Sequence, residues 1–266
     1  MALSVENLTK KYGNTIALSG VSFEIPEGKF AVVLGESGAG KSTLLRILNG
    51  LTEPTSGSVY LDNEEITNSR ADVGMVFQQH NLVEELSAYD NALTGTLNRT
   101  GFIRSLLNLQ SRDDRELALE ALKTVGLLNE AGQKVSNMSG GQQQRVGIAR
   151  ALVQQPALLL ADEPVASLDP SSAETVMTYF RETVKKRNLT TLASLHQVNI
   201  AREFGEQFIG LKDGEVMFAG PRSELTPAVL EEIYGDIQTE ELREGTESAE
   251  ISESTQNGTT GIEANI

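Results

Sequence analysis

Phe30-Ala31-Val32-Val33-Leu34-Gly35-Glu36-Ser37-Gly38-Ala39-Gly40-Lys41-Ser42-Thr43 decides the fold. Five apolar residues read as a buried strand, and Ser42 to Asn49 reads as a helix. Between them, Gly35 to Ser42 fits the phosphate-loop pattern, two glycines with four residues between them followed by Lys and Ser. Glycines let backbone N–H groups turn inward around phosphate oxygens, helped by the helix N-terminus. Lys41 supplies a point charge to the β- and γ-phosphates, and the Ser42 hydroxyl is a Mg²⁺ ligand. The loop from Gly35 through Glu36, Ser37, Gly38, Ala39, Gly40, Lys41 and Ser42, with Thr43 beside it, thus implies ATP or a related nucleotide and nothing narrower.

The strands around this centre are legible by period. Leu3 to Leu8 and Ala17 to Ile25 alternate apolar and polar residues, and Gly57 to Leu61 and Val73 to Phe77 read as further strands. From about Gln79 to Gln155 the spacing is helical, clearest in Arg112 to Val125, where Leu117, Ala118, Ala121, Leu122 and Val125 share a face. The strand Ala157 to Ala161, a helix over about Ser171 to Arg187 and a strand Thr190 to Leu195 follow. That alternation predicts a mostly parallel sheet covered by helices. Phe208 to Leu211 and Val216 to Ala219, joined by Asp213-Gly214, read as a hairpin. After Tyr234 large apolar residues become rare, so 239–266 is expected to be a disordered acidic tail beyond a domain of residues 1–238.

Composition narrows the function classes. Its 266 residues carry a net charge of −15, and the stretch from Asp236 onward holds eight acids and one Arg. A net-negative body argues against nucleic-acid binding, because phosphate backbones need clustered cations. Without Cys there is no disulfide and no thiolate metal site, which fits a reducing interior. The N-terminus lacks a basic stretch followed by an apolar core, so no secretory signal is expected. No apolar run approaches the roughly 20 residues of a membrane span.

Chemistry beyond phosphate binding comes from Leu158-Leu159-Leu160-Ala161-Asp162-Glu163-Pro164, where an apolar strand delivers two adjacent carboxylates. Successive strand residues point to opposite sides, so the two acids cannot share a job. Asp162 is the expected Mg²⁺ partner and Glu163 the general base or water-orienting group.

Met138-Ser139-Gly140-Gly141-Gln142 lies just upstream. Ser139 can cap a helix whose first turn is bare amide, a second phosphate grip. A plain cap and turn would be the better reading if the segment stood alone. With the phosphate loop and acid pair in order around it, it resembles the Leu-Ser-Gly-Gly-Gln signature of ABC ATPases, Met138 being a mild departure. The resemblance implies an α/β fold: a P-loop NTPase, RecA-like core with a mostly parallel sheet, an N-terminal antiparallel β subdomain and an inserted helical subdomain at about 79–155. It also implies further site residues. Gln78 matches the glutamine that senses Mg²⁺ and the γ-phosphate, Asp169 the loop that crosses between partner ATPases, and His196 the switch histidine. Tyr12 matches the aromatic that stacks on adenine. Ser139, Gly140, Gly141 and Gln142 would act on ATP held by a second copy, in a homodimer.

Phe77-Gln78-Gln79-His80-Asn81-Leu82-Val83, Ala161 to Asp169 and Ser194-Leu195-His196-Gln197-Val198 are similar to the ATPase of phosphonate importers. That implies two permease subunits, an extracytoplasmic phosphonate-binding protein and a peripheral place on the cytoplasmic face of the cell membrane. An importer ATPase for another small solute would share every catalytic residue. A soluble ABC ATPase, such as a carbon–phosphorus lyase subunit, is the alternative from another class.

Overall fold

The computed structural model describes residues 1–68, 70, 72–77, 81–98 and 111–235. Gln78, His80 and the 239–266 tail therefore lie outside the described residues.

Two sheets enclose the phosphate loop. The first, in the order β2-β1-β4-β5, is antiparallel: β1 (Leu3–Tyr12), β2 (Thr15–Ile25), β4 (Ser56–Leu61) and β5 (Glu64–Glu65). The second runs β10-β9-β3-β8-β7-β6. In it β6 (Val73–Val76), β7 (Leu158–Asp162), β8 (Thr190–Ser194), β3 (Phe30–Leu34) and β9 (Gln207–Lys212) are parallel neighbours. β10 (Glu215–Pro221) closes one edge antiparallel to β9, across the Asp213-Gly214 turn, where both residues have positive φ. The expected mostly parallel sheet and late hairpin are both present.

Every residue of β3, β7 and β8 is buried, as expected of central strands in a sheet covered on both faces. The pleat divides these side chains between two cores. Ala31, Val33, Leu158 and Leu160 meet β1, β2 and α1 (Lys41–Leu48), which is held between the sheets. Phe30, Val32, Leu34, Leu159 and Ala161 face the opposite way. There they meet α5 (Pro170–Arg187) and an assembly of α2 (Ala88–Leu93), α3 (Arg112–Thr124) and α4 (Gly140–Val153).

Helix starts follow local chemistry. Ser111 and Ser139 each form a capping box, with Asp114 and Gln142 respectively, so α3 and α4 begin at Arg112 and Gly140. Asp169 caps α5 and Pro170 occupies its first turn. At its far end Asn188 adopts the left-handed conformation that stops the helix. Two short helices, α6 (Val198–Phe204) and α7 (Pro227–Tyr234), have no counterpart in the periodicity, because seven or eight residues complete barely two turns.

Phe180 of α5 is fully buried and meets Phe30 edge to face, with ring centroids 5.4 Å apart. Phe180→Ala should cost about 3–5 kcal/mol. The check is urea unfolding, where the midpoint should fall at unchanged slope, with Leu119→Ala on the exposed face of α3 as the near-neutral comparison.

Candidate functional site

The ends of β3, β7 and β8 converge because the three strands are adjacent and parallel. β3 stops at Leu34, and the chain turns through Gly35 to Gly40 into α1. At two positions the turn requires glycine. Gly35 has φ +150°, and a Cβ there would lie 2.3 Å from the Leu211 carbonyl oxygen. Gly40 has φ +103°, and its Cβ would lie 2.6 Å from the Ala17 carbonyl oxygen. Gly40 is also the N-cap of α1 and offers no side-chain oxygen to its first turn. The backbone donors there are disposed toward an anion.

Lys41 is buried, and its Nζ donates to the carbonyls of Gly35 (2.7 Å) and Glu36 (2.9 Å). Burial lowers its pKa, opposed by the nearby carboxylates of Glu163 and Asp162. A cavity of about 180 Å³ lies over the loop, lined by Ala17, Ser37, Gly38, Gly40, Lys41, Ser42, Thr43 and Glu163. The structure therefore brings the phosphate loop and Glu163 to one hollow.

Asp162 ends β7 and is buried. Its Oδ1 accepts from the Ser42 hydroxyl (3.1 Å) and from the Ser194 hydroxyl (2.9 Å). A hydroxyl and a carboxylate this close form a hard-oxygen pair of the kind Mg²⁺ takes alongside nucleotide phosphates. Glu163 departs from the expectation that strand alternation separates the two acids. The strand ends at Asp162, and Glu163 has φ +47°, so a left-handed residue redirects its side chain. The two acids do diverge, but by this turn. Its N–H donates to Ser194 Oγ at 2.9 Å, and its carboxylate pairs with the His196 ring through Oε1 and Nε2.

Three predicted positions sit apart from this cluster. Ser139 caps α4, receiving the Gln142 N–H at 3.3 Å while its own N–H donates to Gln142 Oε1 at 2.9 Å. A hollow of about 250 Å³ there is lined by Ser139, Gly141, Gln142, Arg145 and residues of α5, and shares no lining residue with the phosphate-loop cavity. Gly140 is exposed at the same helix start. Asp169 accepts from the Ser171 hydroxyl (2.7 Å) and the Ser172 N–H (3.1 Å), which hold its carboxyl well below the usual range. Within one chain its visible work is to cap α5. Tyr12, at the end of β1, is half exposed with Lys10 Nζ 4.9 Å from its ring centre, so core packing does not consume the ring. Gln78, expected beyond β6, lies outside the described residues.

Two residues escaped sequence reasoning. Ser194, the last residue of β8, is fully buried between both acids. Tyr234, the last residue of α7, accepts the Gly35 N–H at 3.1 Å through its hydroxyl, and burial pushes that phenol up to about 12. Ser194 opens the stretch that leads to His196, but only the histidine in it matches a family role, and a tyrosine ending a short helix carries no motif.

The family described as ABC transporter matches residues 18–166. A protein named Phosphonates import ATP-binding protein PhnC, from Halobacterium salinarum, is 63% identical over 243 residues, 91% of this chain and 87% of that one. The protein of that name from Thiobacillus denitrificans is 48% identical over 239 residues, 88% and 92% of the two chains. Among solved structures, an ATP-binding cassette in a dimeric post-hydrolysis state bound to ADP and Pi is 37% identical. It aligns over 83% of this chain and 98% of that one, with a TM-score of 0.71. The ADP conformation of another ABC transporter cassette is 27% identical, over 92% and 99%, with a TM-score of 0.78.

Gly40→Ala should distort the loop entry and weaken binding of a fluorescent ATP analogue at least about tenfold, some 1.4 kcal/mol, in a titration against the wild-type chain.

Proposed function

The chain belongs to the ABC transporter ATPase family, and from that premise we propose that it hydrolyses ATP to drive import of phosphonates through separate permease subunits. The supporting observation is one cavity lined by the Gly-shaped loop, Lys41, Ser42 and Glu163, with Asp162 hydrogen-bonded to Ser42 and His196 paired with Glu163. The cargo follows the relatives, two of which bear the name of phosphonate importers at 63% and 48% identity. No observation on this chain favours another solute or a carbon–phosphorus lyase role.

We assign work to each group. Phosphate oxygens entering the hollow compete with the Gly35 and Glu36 carbonyls for Lys41 Nζ, and the bare first turn of α1 adds N–H donors. Ser42 and Asp162 would hold Mg²⁺, with Gln78 as a third contact expected from the family pattern. Such an ion would supply positive charge against the negative charge that develops on the phosphates. Glu163 orients the attacking water and takes its proton. His196 fixes the Glu163 carboxylate and stands at the same strand end for the γ-phosphate. Tyr12 offers an exposed ring to adenine, with Thr43 next to the phosphates.

Each site is half-built in one chain. The signature residues Ser139, Gly140, Gly141 and Gln142 present a helix N-terminus to a different hollow. We place them on ATP held by a second copy, with Asp169 in the crossing loop, in a head-to-tail homodimer; a similar cassette of known structure is dimeric. ATP then joins the copies, and hydrolysis releases them. Residues 1–238 form the ATPase domain, with a helical subdomain at about 79–155 that docks on two permease subunits, and 239–266 an acidic tail. Among the described residues no helix is long and apolar enough to cross a membrane. From its importer relatives we infer a peripheral place on the cytoplasmic face of the cell membrane, service by an extracytoplasmic phosphonate-binding protein, and no nucleic-acid partner.

Glu163→Gln should bind ATP, lose turnover by about 100-fold or more and accumulate as dimer in light scattering. Wild-type turnover in this variant would remove Glu163 from its role. ATP-dependent uptake of a labelled alkylphosphonate by vesicles carrying the chain with its permease tests the cargo. Uptake of methionine or glutamate in its place would overturn that part.

A further inference from the structure

The acids Asp162 and Glu163 differ in backbone conformation yet meet one common group. Ser194 ends β8 in register with Asp162 of β7, and with Val33 of β3 on its other side. Its Oγ lies 2.9 Å from Asp162 Oδ1 and 2.9 Å from the Glu163 nitrogen. A backbone N–H can only donate, so the Ser194 oxygen is the acceptor toward Glu163. The one hydroxyl proton is then directed to the Asp162 carboxylate, and the rotor is fixed from both sides.

The Glu163 backbone needs such a hold. A residue with a Cβ at φ +47° sits in the sparsely populated left-handed region and persists only where its surroundings determine it. Ser194 pins its N–H. Two residues further along the same chain, His196 meets its carboxylate. One strand end thereby grips Glu163 at both ends while orienting the carboxylate that also receives Ser42.

We propose that Ser194 is a positioning residue for ATP hydrolysis, aligning Asp162 for Mg²⁺ and Glu163 for water with one hydroxyl. This rests on the roles given above to the two acids. Hydrogen-bond partners of metal ligands typically change affinity or activity by about 10–100-fold when removed. Ser194→Ala should therefore lower kcat by about 10–100-fold while KM for ATP moves less than about threefold, the signature of an interaction that matters after binding. Independently of turnover, the Mg²⁺ concentration needed to tighten binding of a fluorescent ATP analogue should rise about tenfold. Ser194→Thr keeps the oxygen and should restore kcat and Mg²⁺ dependence to within about threefold of wild type.

An alanine variant with wild-type kcat, or a threonine variant as impaired as the alanine one, overturns the proposal. So does loss of turnover with unchanged Mg²⁺ dependence. Should the alanine chain not fold, Ser194→Cys, close in size but a weak donor and acceptor, carries the same expected losses. Asp162→Asn and Glu163→Gln run alongside. If they retain turnover, the roles of the acids fail; if they lose it and Ser194→Ala does not, only the role of Ser194 fails.

Discussion

Asp162 Oδ1 accepts hydroxyl protons from Ser42 at the start of α1 and from Ser194 at the end of β8. A carboxylate buried at the edge of an apolar sheet is costly unless hydrogen-bonded. Meeting that demand ties three chain segments into one corner, Ser42 lying 120 residues and Ser194 32 residues from Asp162 in sequence. Strand order supplies the means: β3, β8 and β7 lie side by side and parallel, so their C-terminal ends open on the same edge. Ligands in open α/β sheets bind at that edge. The antiparallel sheet contributes the other wall through Ala17, whose carbonyl leaves no room for a side chain on Gly40.

Much of this corner was legible in the residues. Gly35 and Gly40 stand where only glycine avoids a carbonyl, so their spacing reports backbone shape directly. At the other hollow, Ser139 with Gln142 forms a capping box, a local interaction between residues three positions apart. The all-apolar runs of β3 and β7 announced strands buried on both faces. The reason the two acids diverge was less legible. Strand alternation accounts for side chains only while the strand lasts, and β7 ends one residue before Glu163.

Other features depend on long-range contacts that composition does not encode. Ser194 is one hydroxyl among many, important because register sets it opposite Asp162. Tyr234 reaches Gly35 across 199 residues of sequence, binding the last described helix to the first glycine of the phosphate loop. Asp169 shows the reverse case. Its family match implies a crossing loop, while within one chain its bonds are those of a helix cap.

Within one chain the phosphate-loop hollow and the signature hollow share no lining residue, and the proposed active site is accordingly one that two copies build together. The direct measurement mixes Lys41→Ala, which disables the loop, with Gly141→Asp, which sets a charge against phosphate at the signature. Alone, each variant should be inactive. Mixed in equal amounts before ATP is added, random pairing gives heterodimers with one intact site, and roughly a quarter of wild-type turnover should return. A mixture as inactive as its components, or full activity in either variant alone, would contradict a site shared between chains.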